Sequence, residues 1–203
     1  MSELDIDPRA KALIFDLDGT ITDSMPIHFI AWRNAVAPYG IDFTAELFEK
    51  LAGIPVHPTV EKLNEMFGAN MDPQTLGDAK ENEYETNMHL ATPIEPVVRL
   101  IKKYHGKLPM AIGTGSEHRL ALKALDNIGL KDYFQIVVGY DDVKNHKPHP
   151  ETFLKAAEMM GVEPCFCQVF EDGIPGIQAA QTAGMMITDV RDYYTVTIGK
   201  KIY

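Results

Sequence analysis

Short apolar runs recur along the chain, and several of them end in polar or acidic residues. The first, residues 11–17, is apolar at its centre and turns acidic at its end. Uninterrupted runs of this length are typical of strands buried on both faces of a sheet. The pattern predicts strands at 11–17, 108–113, 134–139, 168–170 and 185–190.

Amphipathic helical patterns lie between the later runs. Helices are predicted at 116–128, 150–160 and 174–183, and each of them stops at a glycine. Pro150 suits the first helical position of its segment. Strands that alternate with helices predict an α/β fold with a doubly wound parallel sheet, a Rossmann-like core covered by helices.

One interval interrupts this alternation. About 90 residues separate the first strand from the second, whereas a parallel crossover needs only about a dozen. Helical patterns fill the interval at 26–36, 44–51, 58–67 and 73–89, and a further helix at 93–104 leads into the second strand. We therefore predict a helical cap domain at 25–91, inserted into a catalytic core formed by 1–24 and 92–203. Ligands of open α/β sheets bind at the carboxyl ends of the strands, so we expect the insert to act as a lid there.

Composition narrows the range of partners. The net charge of −10 argues against nucleic acid or an anionic membrane as a partner. No apolar run reaches the length of a membrane span, and the acidic N-terminus lacks the pattern of a signal peptide. Cys165 and Cys167 are too close for a routine disulfide and lack the further ligands of a zinc site. The expectation is a cytoplasmic protein, with a monomer as the default.

The end of the first strand carries paired carboxylates. Asp16 and Asp18 lie in the segment DLDGT, and two carboxylates on one side of a strand end repel each other unless a cation or proton lies between them. One reading is a loop acid followed by a helix cap. The other is a Mg²⁺ site that uses the Asp16 side chain and the Asp18 backbone carbonyl, with waters and a substrate phosphate as further ligands.

Two other segments carry charge to the same edge of the predicted sheet. Glu171 and Asp172 end the fourth strand and are either further metal ligands, directly or through water, or a solvated turn. Lys147, which is followed by two prolines in HKPHP, is either a surface residue or a fixed ammonium that neutralises Asp16 and a phosphate oxygen.

The end of the second strand reads AIGTGS. Thr114 offers a hydroxyl, Gly115 gives flexibility, and the backbone N–H groups at the following helix N-terminus suit a phosphate. For Ser116 a simple helix N-cap is an equal alternative.

Together these residues predict Mg²⁺-dependent phosphoryl transfer from a small phosphorylated metabolite. Asp16 attacks phosphorus and forms an aspartyl-phosphate. Lys147 and Thr114 hold the phosphoryl oxygens. Asp18 protonates the leaving oxygen and then deprotonates the hydrolytic water.

DLDGT, the strand-end threonine, the Lys-Pro and the strand-end Glu-Asp, in that order, resemble the haloacid dehalogenase-like phosphatase superfamily. The insert resembles the helical cap of its β-phosphoglucomutase and phosphonatase-like branch. GTGSEHR, VKNHKPHPETF and FEDGIPGIQAAQTAG resemble bacterial fructose-1-phosphate phosphatases. The resemblance implies an aspartyl-phosphate enzyme with a sugar phosphate as its substrate.

Two cap residues gain candidate roles from this resemblance. His28 matches a histidine that reaches the substrate in β-phosphoglucomutases, although a packed or solvated histidine is the alternative. Lys80 is similar to a cap lysine that contacts the substrate, although a solvated lysine is the alternative.

Val56 stands where mutases carry an arginine that grips a second phosphate. Its presence favours hydrolysis over isomerisation, with a mutase as the runner-up since His57 offers a partial substitute.

Other functional classes fit less well. A dehalogenase has no need for Asp18, because halide leaves unprotonated. Signalling receiver domains are shorter, lack a helical insert and phosphorylate an aspartate on a later strand. A catalytically silent regulator would have lost a nucleophile or a metal ligand, whereas this sequence keeps the full set.

Overall fold

The computed structural model describes residues 4–51 and 53–194. In chain order the strands of the described residues are β1 (Ala12–Phe15), β2 (Thr22–Asp23), β3 (Thr92–Pro93), β4 (Met110–Gly113), β5 (Ile136–Val138), β6 (Cys167–Glu171) and β7 (Met186–Asp189). The main sheet has five parallel strands in the order β5-β4-β1-β6-β7. This sheet confirms the predicted α/β fold class.

Helices follow the strands in the order expected for a doubly wound sheet. In chain order they are α1 (Met25–Val36), α2 (Ala45–Leu51), α3 (Val56–Phe67), α4 (Pro73–Asn87), α5 (Glu95–Tyr104), α6 (His118–Asn127), α7 (Glu151–Met160) and α8 (Ile174–Thr182). All helix starts lie within two residues of the prediction, and two of the shifts concern residues to which the sequence assigned a capping role. α6 begins at His118 rather than Ser116, and α7 begins at Glu151, so Pro150 precedes the helix instead of opening it.

The central strand explains why the apolar runs were uninterrupted. All four residues of β1 are fully buried, because β4 and β6 pair with it on either side and helices cover both faces. Phe15 stacks on Phe170 of the neighbouring strand with ring centroids 4.8 Å apart. At Gly113 an added Cβ would lie 2.9 Å from the Phe153 ring, so a side chain there would force α7 away from the sheet.

The described chain divides into two compact units. One contains the sheet and is formed by residues 4–23 and 92–194; the other is formed by residues 24–91 and contains α1 to α4. The helical unit has its own apolar core, whose members include Trp32, Phe43, Phe48 and Leu63. None of the helices in the described part of the chain is long and apolar enough to cross a membrane.

A short element that the sequence pattern did not predict lies where the chain leaves and re-enters the sheet-containing unit. β2 and β3 pair in antiparallel fashion, with Thr22 opposite Pro93 and Asp23 opposite Thr92. A two-residue pairing has no periodicity, which is why it left no signal in the sequence.

Candidate active site

Three side chains lie where neighbouring parallel strands end. Asp16 follows β1, Thr114 follows β4, and Glu171 is the last residue of β6. Because β4, β1 and β6 are adjacent and parallel, their carboxyl ends share one edge of the sheet. The side chains of Asp16, Thr114 and Glu171 are all buried. The sheet order therefore brings together the three sequence segments that contain Asp16, Thr114 and Glu171.

Lys147 connects two of these ends. Its Nζ donates to Oδ1 of Asp16 and to Oε2 of Glu171, both at 2.7 Å. The same ammonium lies 4.6 Å from the centre of the Phe153 ring. Burial opposes the charge on Lys147, but Asp16 and Glu171 together raise its pKa above the ordinary value. Lys147 is thus a fixed cation inside the site and not a surface lysine.

The Glu171 carboxylate is held on both oxygens. Oε1 accepts from the backbone N–H groups of Asp172, at 3.0 Å, and Gly173, at 2.8 Å, while Oε2 accepts from Lys147. A Cβ at Gly176 in α8 would overlap this carboxylate, so glycine is required there for Glu171 to pack as it does. This arrangement suits a residue that orients Lys147.

Oxygens of three carboxylates, Asp16, Glu171 and Asp172, lie within 4.8 Å of one another. Burial and then the charge of Glu171 raise the pKa of Asp16 well above its usual range, although Lys147 opposes this. Burial and the charge of Glu171 also raise the pKa of Asp172, to about 7. Such a cluster of hard oxygen ligands fits a divalent cation, whose charge would relieve the repulsion.

Asp172 is also tied to the first segment. Thr20 Oγ1 donates to Oδ1 of Asp172 at 2.8 Å. Gly19 has a φ of 86°, and a Cβ at that position would overlap the Asp172 carboxylate. DLDGT therefore needs glycine for two reasons, its left-handed backbone conformation and the close approach of Asp172.

The loop after β4 reaches the second carboxylate of DLDGT. Ser116 Oγ donates to Oδ2 of Asp18 at 2.6 Å, and the backbone N–H of Ser116 donates to the Thr114 hydroxyl at 3.1 Å. The N-cap alternative for Ser116 is wrong, because the helix starts two residues later. An added Cβ at Gly115 would contact nothing within 4 Å, which leaves open space beside its backbone.

Further hydrogen bonds with the segment that follows β5 support this loop and the start of α6. The first helical amide of α6, His118 N–H, donates to Oδ1 of Asp141 at 2.7 Å. Asp142 accepts from Nδ1 of His118 at 2.7 Å and from the backbone N–H of Gly139 at 2.8 Å. Tyr140 N–H donates to the backbone carbonyl of Ser116 at 2.8 Å. These contacts hold the backbone that presents Ser116 and Thr114.

The two candidate residues of the helical unit contact each other. Lys80 Nζ lies 3.0 Å from Nδ1 of His28 and 2.9 Å from Oε1 of Glu81. The His28 ring stacks on Tyr84 with centroids 3.9 Å apart, and the Lys80 ammonium is 5.8 Å from the Trp32 ring centre. Lys80 is only 3% exposed, so the solvated alternative is wrong for this lysine.

Val56 and His57, the residues that bear on isomerisation, lie at the start of α3. Both contact the position of Gly77 in α4, where an added Cβ would be 3.1 Å from Val56 Cγ1 and 3.1 Å from His57 Cδ2. The small size of Gly77 therefore sets how closely this end of α3 approaches α4.

Sequence reasoning missed three residues that hold the site together: Thr20, Asp141 and Asp142. Thr20 was visible inside DLDGT, but its partner is 152 positions away. Asp141 and Asp142 come three and four residues after the end of β5, and this place near a strand end is the signal that could have singled them out.

Comparison with known proteins agrees with this geometry. Residues 13–190 match the model of the family described as haloacid dehalogenase-like hydrolase. The chain belongs to the haloacid dehalogenase-like hydrolases. The family resemblance inferred from the four sequence segments is thereby confirmed.

Relatives within this hydrolase family carry phosphatase and mutase names. The chain is 44% identical over 185 residues to fructose-1-phosphate phosphatase YqaB of Escherichia coli, covering 90% of this chain and 97% of that protein. It is 34% identical to a β-phosphoglucomutase of Bacillus subtilis, covering 89% and 83% respectively. The crystal structure of β-phosphoglucomutase from Clostridium difficile matches with a TM-score of 0.79 and 28% identity, covering 88% of this chain and 83% of that one.

Membership of this hydrolase family, together with these relatives, confirms that the protein is an enzyme. Its class is that of the phosphoric monoester hydrolases.

Proposed function

We propose that this hydrolase is a Mg²⁺-dependent phosphatase that cleaves a small phosphorylated metabolite of the sugar phosphate class through an aspartyl-phosphate on Asp16. The observation that carries the proposal is the position of Lys147, bonded at once to Asp16 and Glu171 inside a cluster of carboxylates. A buried cation beside a strand-end carboxylate suits attack on an anionic phosphate, because it offsets the charge of both groups.

Asp16 would form a bond from a carboxylate oxygen to phosphorus while the ester oxygen leaves. Lys147 holds Oδ1 of Asp16 and thereby sets the direction of the carboxylate. The Thr114 hydroxyl and the backbone N–H groups around Gly115 would hold the phosphoryl oxygens, in the space that remains beside Gly115.

Asp18 would protonate the leaving oxygen and later remove a proton from the water that cleaves the aspartyl-phosphate. An alkoxide is a poor leaving group unless it is protonated, so a second carboxylate is needed. The hydrogen bond from Ser116 holds Asp18 in one orientation for both proton transfers. We propose that Ser116 acts here through Asp18 as well as on the substrate.

Asp16 and Asp172 would hold Mg²⁺ with their side chains, and Asp18 would contribute its backbone carbonyl. When bound, the ion would neutralise charge on the transferring phosphoryl group. Glu171 belongs to the same cluster, but its bonds to Lys147 and to two backbone amides favour a role in positioning Lys147 over direct ligation.

The helical segment 25–91 would serve as a cap domain that closes over the substrate and provides its recognition, with 1–24 and 92–203 as the catalytic core. His28 and Lys80 are our candidates for substrate contact. Their mutual bond, supported by Tyr84 and Glu81, keeps a cation in one place on the helical unit. We further propose that the enzyme acts in the cytoplasm as a monomer.

Hexose and other polyol phosphates are the proposed substrate class, since the relative with 44% identity is named a fructose-1-phosphate phosphatase. A mutase is the second candidate, because other relatives are named β-phosphoglucomutases. Val56 favours hydrolysis: an aliphatic side chain has no means of gripping the second phosphate of a bisphosphate intermediate.

The test is phosphate release from a panel of hexose and polyol phosphates that includes fructose 1-phosphate. We expect Mg²⁺-dependent turnover that is abolished by excess chelator and by Asp16→Asn, and retained in Asp126→Asn, an exposed control. Rapid acid quench should trap a phosphoenzyme that hydroxylamine cleaves, as an acyl phosphate requires. Robust turnover in Asp16→Asn or in chelator would overturn the mechanism.

A second assay separates the two candidate functions. The enzyme is incubated with glucose 1-phosphate and a catalytic amount of a hexose bisphosphate. Free phosphate supports the phosphatase, whereas accumulation of glucose 6-phosphate without free phosphate would overturn it in favour of the mutase.

A further inference from the structure

Tyr194 follows β7 and the short 3₁₀ turn Val190–Asp192, and its phenolic oxygen is fully buried. Among the described residues this hydroxyl has no hydrogen-bond partner. A buried hydroxyl that makes no hydrogen bond lowers stability, so its retention calls for a physical reason.

The charged groups around the Tyr194 phenol suggest why its hydroxyl is retained. Burial raises the pKa of Tyr194, and the carboxylates of Asp172, Asp23, Asp16 and Glu171 raise it further. The phenol is therefore neutral at physiological pH and keeps a proton to donate. Three of these four carboxylates form the cluster that we assign to Mg²⁺.

One oxygen of Asp23, the fourth carboxylate, is in the same situation as the Tyr194 hydroxyl. Its Oδ1 is buried and has no hydrogen-bond partner among the described residues. Burial raises the pKa of this carboxyl group as well. Asp23 ends β2, seven positions after Asp16, and Tyr194 lies five positions after Asp189, which pairs with Glu171 in the sheet. The segments that follow the strand ends of the cluster thus keep one buried oxygen that both donates and accepts and another that accepts.

These features match what hydrated Mg²⁺ requires. The ion retains several of its waters in protein sites, and each such water donates hydrogen bonds to acceptors around the site. Residues that bind metal-bound waters or orient the ligands typically change metal affinity by about 10–100-fold when they are removed. Tyr194 and Asp23 have the chemistry for this task and are not used by the proposed phosphoryl transfer.

We propose that Tyr194 is a positioning residue for the metal site, whose hydroxyl binds the water shell of the Mg²⁺ held by Asp16 and Asp172, with Asp23 as a further acceptor for that shell. This proposal rests on the proposed function, since it assumes the metal. Tyr194 touches neither substrate nor the reacting atoms in this role. It acts through the hydration and orientation of the ion.

The rival explanation is that the ring of Tyr194 only fills space. The two explanations differ in the effect of Mg²⁺ on stability. Removal of the unpaired hydroxyl leaves the metal-free protein equally or more stable under both explanations, because phenylalanine keeps the ring. If the hydroxyl serves the metal, its removal also weakens Mg²⁺ binding and reduces the Mg²⁺-induced rise in Tm. If the ring only fills space, both quantities stay unchanged.

The experiment compares Tyr194→Phe with Tyr193→Phe, which makes the same chemical change one residue earlier. Isothermal titration calorimetry measures Mg²⁺ affinity, and thermal unfolding is followed in chelator and in saturating Mg²⁺. For Tyr194→Phe we expect about tenfold weaker Mg²⁺ binding and a smaller Mg²⁺-induced rise in Tm. Its Tm in chelator should be at or above that of the wild type. Tyr193→Phe should match the wild type in Mg²⁺ affinity.

An activity measurement adds a second readout. The Mg²⁺ concentration for half-maximal activity should rise about tenfold in Tyr194→Phe, while the KM for the sugar phosphate at saturating Mg²⁺ stays unchanged. Equal Mg²⁺ affinity in the two variants, or an equal change of Tm with and without metal, would overturn the role of Tyr194 alone. Failure of the wild-type protein to bind Mg²⁺ would instead overturn the proposed function, and this inference with it.

Discussion

The hydroxyl of Ser116 donates a hydrogen bond of 2.6 Å to Oδ2 of Asp18, which joins the loop after β4 to the second carboxylate of DLDGT. In the proposed reaction Asp18 transfers protons in both half-reactions, so its orientation affects both. The same loop presents Thr114, whose hydroxyl accepts from the Ser116 backbone. In the proposed reaction, one turn of chain thus orients the acid and lines the phosphate site.

Replacing Ser116 with alanine should therefore slow the reaction. A hydrogen bond to a charged group contributes about 1.5–3 kcal/mol, so we expect kcat to fall roughly 10–100-fold. Glu117→Ala, which changes the exposed neighbour, should keep wild-type activity. Steady-state kinetics on the best substrate measures both. A Ser116→Ala enzyme with unchanged kcat would show that this bond does not orient the acid.

Lys147 should be essential for catalysis and important for the fold. Lys147→Met leaves Asp16 and Glu171 without their shared cation, and breaking a buried ion pair typically costs about 3–5 kcal/mol. We expect loss of detectable turnover and a clear fall in the urea midpoint at pH 7.5. The control is Lys144→Met, three residues earlier and exposed. Full stability of Lys147→Met would contradict the ion pairs that we describe.

Gly176 should tolerate no side chain, although it lies in a helix where alanine is normally favoured. A Cβ there overlaps the Glu171 carboxylate, so Gly176→Ala must displace Glu171 and with it Lys147. We expect kcat to fall at least tenfold, with a loss of about 1–3 kcal/mol in unfolding free energy. Gln178→Ala, at an exposed position of the same helix, serves as the control. Higher stability of Gly176→Ala would exclude the overlap.

Stability of the metal-free protein should depend on pH through Asp16 and Asp172. Their pKa values are raised in the folded state, that of Asp172 from 3.8 to about 7, so the folded protein binds protons more tightly than the unfolded chain does. This contribution to stability is therefore lost as pH rises from about 4 through about 7.

Thermal unfolding in chelator from pH 5 to pH 8 measures this loss. Mg²⁺ should reduce it, because the ion offsets the carboxylate repulsion, so the Mg²⁺-induced rise in Tm should be larger at pH 8 than at pH 5. Asp172→Asn should weaken the pH dependence in chelator. An equal effect of Mg²⁺ at both pH values would contradict a metal site at these carboxylates.

The strands and helices could be predicted from the sequence because the information is local. An uninterrupted apolar run indicates a strand buried on both faces, as β1 is, and a glycine at the end of an amphipathic segment indicates where a helix stops. Once the sheet is parallel, Asp16 and Glu171 must share an edge, since both end strands. The meeting of candidate site residues at the strand ends could therefore be predicted from the sequence alone.

Contacts made by loops were decided only by the tertiary structure. Lys147 and Asp16 are 131 positions apart, Ser116 and Asp18 are 98 apart, and Thr20 and Asp172 are 152 apart. No periodicity relates such pairs. Their meeting depends on strand order, on loop conformation and on space left by Gly19 and Gly176. For the same reason the sequence could not show that Lys80 is buried against His28, nor that the Tyr194 hydroxyl is buried without a partner among the described residues.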